Sequence, residues 1–473
     1  MSCHSVPVVV RNFQFRVFVF SLALLTAVVV AGGSTGVRPT SQTLAFGDRA
    51  ALATRVRAEF QHAWSSYKRL AWDHDELNPV TRTPHDWYPP TIVYMTAVDA
   101  LDTMTLMGLS DDAAETRRYL LDHLSFDQDV SVQVFEVTIR VLGGLLSAYQ
   151  MSGDAKFLAL AEDLGNRMLP AFNSPTGMPY RFVNLRTGKT TGEVSNPAEI
   201  GTLMLEFGAL GKLTHRDVFY DKAKHAMSEV FRRRDKTTGL VGEEINVDTG
   251  VWASRNSHIG GGIDSYFEYL LKCQKLFGDE ECGAMYRDGI AAVNKYLADD
   301  GPGGLWYGVS DMTTGARTAT TYGSLEAFLP AVLVLGGDLD RAKRLQDSNF
   351  RMWTLHGIEP EVLDYKAMKA TVESYQLRPE IIESAYYLFH ATRDPKYQQM
   401  GRVMFEDLVR YCRTDDGYTV LKSVVTKERG DRQHSFFLAE TLKYLYLLFA
   451  PESTLDLDQV VFNTEAHPLR RTW

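Results

Sequence analysis

Gly144-Leu-Leu-Ser-Ala-Tyr-Gln-Met-Ser-Gly-Asp154-Ala-Lys-Phe157 and Ser384-Ala-Tyr-Tyr-Leu-Phe-His-Ala-Thr-Arg-Asp394-Pro-Lys-Tyr397 share one pattern. An apolar helical run ends in a tight turn with an aspartate, and a second helix starts at once. The pattern returns at Glu206-Phe-Gly-Ala-Leu-Gly-Lys-Leu-Thr-His215 before Val218-Phe-Tyr-Asp-Lys-Ala, and further turns fall at Gly108-Leu-Ser-Asp111, Gly278-Asp279 and Gly337-Asp338. The turns lie roughly 45 to 63 residues apart, a repeat of helical hairpins. The first helix of each pair is apolar nearly all round and must be buried on both sides; the second, as in 217–234 and 395–410, carries charge on one face. Six such hairpins, with the helix at 47–72 paired to the last apolar helix at 435–449, predict an all-α ring of about seven hairpins. An open solenoid is the alternative, but both ends read as ring members rather than polar caps.

The 473 residues are 45% hydrophobic and 23% charged, with a net charge of −9 and no long basic run, which excludes nucleic acid as the expected partner. Residues 1–31 read as a secretory signal, with Arg11 and Arg16 before the apolar run 17–31, or as an uncleaved N-terminal anchor. Residues 32–43 read as a flexible linker and 44–473 as the folded domain. Either reading of the N-terminus sends the domain to a lumenal or extracellular compartment. There, Cys273 and Cys282 are candidates for a short disulfide across the Gly278-Asp279 turn, two free buried thiols being the alternative; Cys412 is left over. No Asn-x-Ser/Thr sequon is present.

Acids fall near the start of almost every inner helix, on the side opposite the tight turns: Asp99 and Asp102, Glu136, Glu199, Asp264, Glu326, Glu380 with Glu383, and Glu440, with Glu361 from a loop. In a ring they converge on one mouth. Such a set repels itself unless something positive or rich in hydroxyls sits at its centre. Arg140 and Arg378 supply part of that charge and a divalent cation could supply the rest. With Phe135, Tyr266 and Phe437 beside them, the groups suit a sugar, and acid pairs suit glycosidic cleavage. The tail, Val461-Phe462-Asn463-Thr464-Glu465-Ala466-His467-Pro468, reads as a polar hairpin plugging the ring, with Thr464 and Glu465 at its tip. Its oxygen donors are of the kind calcium prefers. His258 and His434 are isolated histidines, expected in hydrogen-bonding roles, and no zinc pattern is present.

Seven segments also resemble a known family: Asp99-Ala-Leu-Asp-Thr-Met, Phe135-Glu136-Val-Thr-Ile-Arg140, Ser195-Asn-Pro-Ala-Glu199, Asp264-Ser-Tyr-Phe-Glu-Tyr, Leu377-Arg-Pro-Glu380-Ile-Ile-Glu383-Ser, Ser435-Phe-Phe-Leu-Ala-Glu440 and Asn463-Thr464-Glu465-Ala-His-Pro468. In that order, and across residues 45–470, the chain resembles the class I α-1,2-mannosidases, glycoside hydrolase family 47. The resemblance implies an (α/α)7 barrel and an inverting exo-glycosidase that removes α-1,2-linked mannose from high-mannose N-glycans with calcium in the pocket. By position, Glu136 resembles the general acid acting through a water. Glu380 and Asp264 are the two candidates for base, and Glu361 resembles a further pocket acid. Thr464 resembles the direct calcium ligand, through its carbonyl and hydroxyl. Glu199, Glu383, Glu440 and Glu465 resemble holders of calcium-bound waters or sugar hydroxyls, and Arg140, Arg378 and Phe437 parts of the pocket wall. The ER-type processing enzymes carry an arginine shortly before the aspartate matching Asp264; here the run is Ile259-Gly260-Gly261-Gly262-Ile263. The chain endings look closer to the ER-degradation-enhancing mannosidase-like branch. That implies a place in the endoplasmic reticulum lumen, misfolded glycoproteins as clients, and an oxidoreductase or chaperone partner. The chain ends Arg470-Arg-Thr-Trp473, without a retrieval tetrapeptide, so retention is expected to use the N-terminal segment or a partner. A lectin-like receptor with the same pocket, and an ER or Golgi processing mannosidase, are the alternatives.

Overall fold

Left-handed backbone marks each of the six expected turns: Gly108 (φ 67°), Gly153 (72°), His215 (55°), Gly278 (72°), Gly337 (89°) and Arg393 (57°). This conformation lets the last helical carbonyls be satisfied while the chain reverses, as at Gly153, whose N–H donates to the Tyr149 carbonyl at 2.7 Å. At four of the six turns the aspartate that follows caps the next helix. Asp154, Asp279, Asp338 and Asp394 accept from the backbone N–H of Lys156, Cys282, Arg341 and Lys396 at 2.9–3.3 Å.

The computed structural model describes residues 46–473. The expected signal and linker, 1–31 and 32–43, lie outside the described residues. The helices are α1 (Phe46–Leu70), α2 (Met95–Leu106) and α3 (Ser110–His123). Next comes α4, residues 134–152, which runs through a π-helical stretch at Val137–Leu142, and then α5 (Ala155–Met168), α6 (Met204–Thr214), α7 (Asp217–Arg232), α8 (Asp264–Phe277) and α9 (Glu280–Tyr296). The last are α10 (Leu329–Gly336), α11 (Leu339–His356), α12 (Glu380–Thr392), α13 (Lys396–Tyr411) and α14 (Leu442–Phe449), the last led in by a second π-helical stretch, Phe437–Thr441. The even-numbered helices pack in sequence, and 437–441 packs on α2, so the inner ring closes. The odd-numbered helices form the outer layer, with α1 against α14.

Burial follows from the sequence pattern. In α2 every residue from Met95 to Met104 is buried; in α5 the buried set is Phe157, Ala161, Leu164, Gly165 and Met168, one face of an amphipathic helix. The result is the expected (α/α)7 barrel. Short antiparallel ribbons, such as 131–133 with 182–184 and 194–195 with 244–246, link outer to inner helices at the end opposite the tight turns. Val461–Phe462 pairs with Pro468–Leu469 to form the expected C-terminal hairpin, whose tip is buried in the ring. Gly143 and Gly144 make room for it: a Cβ on Gly143 would stand 2.6 Å from Asn463 Nδ2, and one on Gly144 3.3 Å from His467 Cε1. Cys273 in α8 and Cys282 in α9 are joined in a disulfide across the turn, while Cys412 is a buried free thiol. Among the described residues, no helix is long and apolar enough to cross a membrane.

Candidate active site

The ribbon end of the barrel opens into a cavity of about 310 Å³, floored by Thr464 and Glu465 at the tip of the hairpin. Eight carboxylates line it, Glu136, Glu199, Asp264, Glu268, Glu380, Glu383, Glu440 and Glu465, against two guanidiniums, Arg140 and Arg378. The inner helices start at this end, so acids in their first turns face the opening: Asp264 is the first residue of α8, Glu380 the first of α12, and Glu383 follows one turn on. The two π-helical stretches supply Arg140 and Glu440, and Glu136 immediately precedes the first. Such widened turns recur at functional sites because they re-aim a few side chains without breaking the helix.

Arg140 is the central cation of the floor. Its Nε donates to Glu136 Oε2 at 2.9 Å, its fork grips Glu465, and Asp99 stands 3.8 Å away. The guanidinium lies over the rings of Trp87 (5.4 Å) and Phe436 (5.6 Å). Arg378 lies over the same Phe436 ring at 5.6 Å and is held by Glu361, with an Nη to oxygen distance of 2.6 Å. Glu199 is anchored by the bidentate fork of Arg181 (2.7 Å for both bonds), by Gln133 at 3.0 Å and by Ser195 at 3.2 Å. Lys272 pairs with Glu268.

Burial dominates the ionisation of the remaining acids. It pushes Asp264 up to about 7, with Glu268 and Glu326 adding to the rise. It pushes Glu380 up to about 8, against the pull of Arg378. Glu383 and Glu465 also rise to about 8, opposed by Lys272 and Arg140 respectively. Glu440 is driven well above the carboxylate range by burial and by Glu465, Glu380 and Glu383. Oxygen Oε2 of Glu380 is buried without a hydrogen-bond partner. A cluster of hard oxygen donors, raised by burial and by one another's charge beside a half-buried threonine, is the environment a divalent cation such as calcium would relieve. The residues fit that ion, and Thr464 with the acids around it could hold it.

Most expected site residues meet in the cavity, but several do not. Phe437 is fully buried and packs on Tyr418 (ring centroids 4.7 Å apart); its neighbour Phe436 lines the wall, together with the expected Phe135 and with Phe328. The helix widens at Phe437, and that ring turns away from the opening. Tyr266 is buried with its hydroxyl 3.3 Å from the Met227 carbonyl, on the face of α8 away from Asp264. Glu361 does not line the cavity; it braces Arg378. Asp99 and Asp102 lie beneath the floor, where they flank His467 at 3.3 and 2.7 Å, and Asp102 also pairs with Lys443 at 2.7 Å. His258 and His434 pair with Glu243 and Glu76 and stay outside the lining, in the hydrogen-bonding roles expected of them.

Sequence reasoning missed Glu268, although it lies four residues after Asp264 and so on the same helix face. It missed Glu359 too: fully buried, with neither carboxyl oxygen hydrogen-bonded, and pushed well above the carboxylate range by burial and by Glu380 and Glu361. No local signal separates that residue from any loop glutamate.

Residues 59–471 match glycosyl hydrolase family 47. The chain is 38% identical to the ER degradation-enhancing alpha-mannosidase-like protein 2 of Mus musculus, over 89% of this chain and 78% of that protein. It is 37% identical to the mannosyl-oligosaccharide 1,2-alpha-mannosidase IB of Homo sapiens, over 88% and 69%. The solved alpha-1,2-mannosidase from Trichoderma reesei superposes with a TM-score of 0.82 at 28% identity, over 89% of this chain and 99% of that one.

Proposed function

Because the chain belongs to glycosyl hydrolase family 47, we propose that it is an inverting exo-α-1,2-mannosidase that takes terminal mannose from high-mannose N-glycans with calcium bound at Thr464. The observation that carries this reading is the blind, acid-lined cavity: the hairpin closes its floor, so a glycan enters end-on and only a terminal residue reaches the acids.

Glu136 is the general acid, and a water relays its proton to the leaving oxygen. Its hydrogen bond from Arg140 fixes the carboxyl at the cavity wall. Of the two candidates for base, Glu380 is favoured. Asp264 Oδ1 is already engaged by the Ser265 N–H at 2.6 Å and hydroxyl at 3.2 Å, whereas Glu380 has the Arg378 guanidinium beside it. Arg378, held by Glu361, favours the ionised form that a base needs. An inverting reaction requires acid and base to stand about 6.5–9.5 Å apart, with room for the attacking water. Phe436 supplies an apolar face for the sugar, and Glu199, Glu383, Glu440 and Glu465 hold its hydroxyls or ordered waters. Calcium, when bound, supplies positive charge that lets the surrounding acids ionise, and coordination sites for sugar hydroxyls.

The proposed setting is the endoplasmic reticulum lumen and the disposal of misfolded glycoproteins, supported by the name of the mouse relative. Proton NMR of the first mannose released tests the chemistry. The β-anomer appearing first is expected; initial release of the α-anomer contradicts inversion.

A further inference from the structure

Thr464 takes its place at the cavity floor through contacts that none of the roles above requires. Its backbone N–H donates to the Tyr269 hydroxyl at 3.2 Å. That hydroxyl donates to Glu206 Oε1 at 2.6 Å. The same oxygen accepts from Asn463 Nδ2 at 2.8 Å, and Nδ2 also donates to the Ile139 carbonyl at 2.8 Å. Asn463 Oδ1 in turn accepts the N–H groups of Glu465 (3.0 Å) and His467 (2.7 Å). Glu206 comes from α6, Tyr269 from α8 and Ile139 from α4, so three inner helices converge on Asn463 and the Thr464 N–H. Glu206 is fully buried and its second oxygen, Oε2, has no partner.

We propose that Glu206, through Tyr269 and Asn463, is a positioning residue for the cation site, fixing the backbone of Thr464 so that its oxygens face the cavity. The inference rests on Thr464 being the cation ligand. One oxygen does all the accepting, so the anchor needs a carbonyl-type oxygen at that point rather than a negative charge. Burial agrees, pushing Glu206 up to about 7. Glutamine can therefore replace glutamate, its amide nitrogen taking the unpartnered place of Oε2, whereas methionine cannot. Groups that hold a metal's direct ligands typically govern about 10–100-fold of its affinity.

The test is a calcium chloride titration of the chelator-stripped, desalted protein, followed by thermal unfolding. Wild type, Glu206→Gln, Glu206→Met and Tyr269→Phe are compared; Tyr269→Phe removes one hydroxyl and keeps the ring if Glu206→Met fails to fold. The expected result is a calcium-dependent rise in Tm for wild type at a concentration matched by Glu206→Gln. Tyr269→Phe and Glu206→Met should need about 10–100-fold more calcium. Equal half-maximal concentrations for wild type and Tyr269→Phe would overturn the positioning role while leaving the cation site standing. No calcium-dependent rise in wild type would overturn the cation site itself, and the anchor with it.

Discussion

Phe436 and Phe437 are adjacent, alike and both buried, yet one touches two guanidiniums and the other a tyrosine of the packing layer. Their substitutions should therefore differ in kind. Phe436→Ala removes a ring that lines the cavity and should raise KM, besides the stability lost with a buried ring. Phe437→Ala empties a packed site and should cost about 3–5 kcal/mol of stability, read by urea unfolding. Equal effects of the two on KM would contradict the placement. Glu359 offers a second test. Its ordinary value is raised in the folded protein, so its contribution to stability is complete at low pH and is lost as pH rises from about 4.5 upward. Glu359→Gln removes that loss, and the variant should lose less stability than wild type between pH 5 and pH 9; parallel pH profiles would show that Glu359 is not the proton holder its surroundings imply. At this scale sequence reading went far for acids and poorly for aromatics. An acid at a helix start is conspicuous and has few structural uses, whereas Phe436, Phe437 and Tyr266 differ only in which way a helix face turns.

The hairpin turns were legible because all six carry a left-handed C-cap and four add an aspartate cap within a few residues, local devices that need no tertiary context. The π-helical stretches were not. Val137–Leu142 and Phe437–Thr441 contain no residue that signals an extra residue per turn. The plug was visible as a polar segment after the last apolar helix, but its anchors were not, since His467, Asp99, Asp102 and Lys443 are brought together only by ring closure. The Cys273–Cys282 bond lies at the tight-turn end of α8, far along the helix from Asp264. Cys282→Ser should thus lower stability by about 2–3 kcal/mol in urea and leave kcat near wild type. A collapse of kcat with an intact fold would mean that the clamp is felt at the mouth.

As a whole, the molecule gathers most of its raised acids around the mouth and the floor beneath it, and the stability of the metal-free protein should show it. Asp264 and Glu206 near 7, and Glu380, Glu383 and Glu465 near 8, are all raised in the folded state, so each stabilises below its unfolded value and loses that contribution as pH climbs through the folded one. His467, raised to about 9 by Asp102 and Asp99 despite burial, is lost in the same direction. Acids held low, such as Asp102 near 2, are already ionised above pH 5 and do not change across this range. Metal-free protein should therefore lose Tm steadily from pH 5 to pH 9, and calcium should restore most at the alkaline end; a flat or rising profile would mean that these acids are not raised.

The most direct test of the central claim is the mass of the products when high-mannose glycan is incubated with the purified protein, with calcium and with chelator. Stepwise loss of mannose is expected with calcium, none with chelator, and a fall of about 10²–10⁴-fold in rate for Glu136→Gln. Undiminished binding to immobilised glycan, with no mannose released from free glycan or denatured glycoprotein in the presence of calcium and an oxidoreductase, would contradict the hydrolase and leave a lectin in its place.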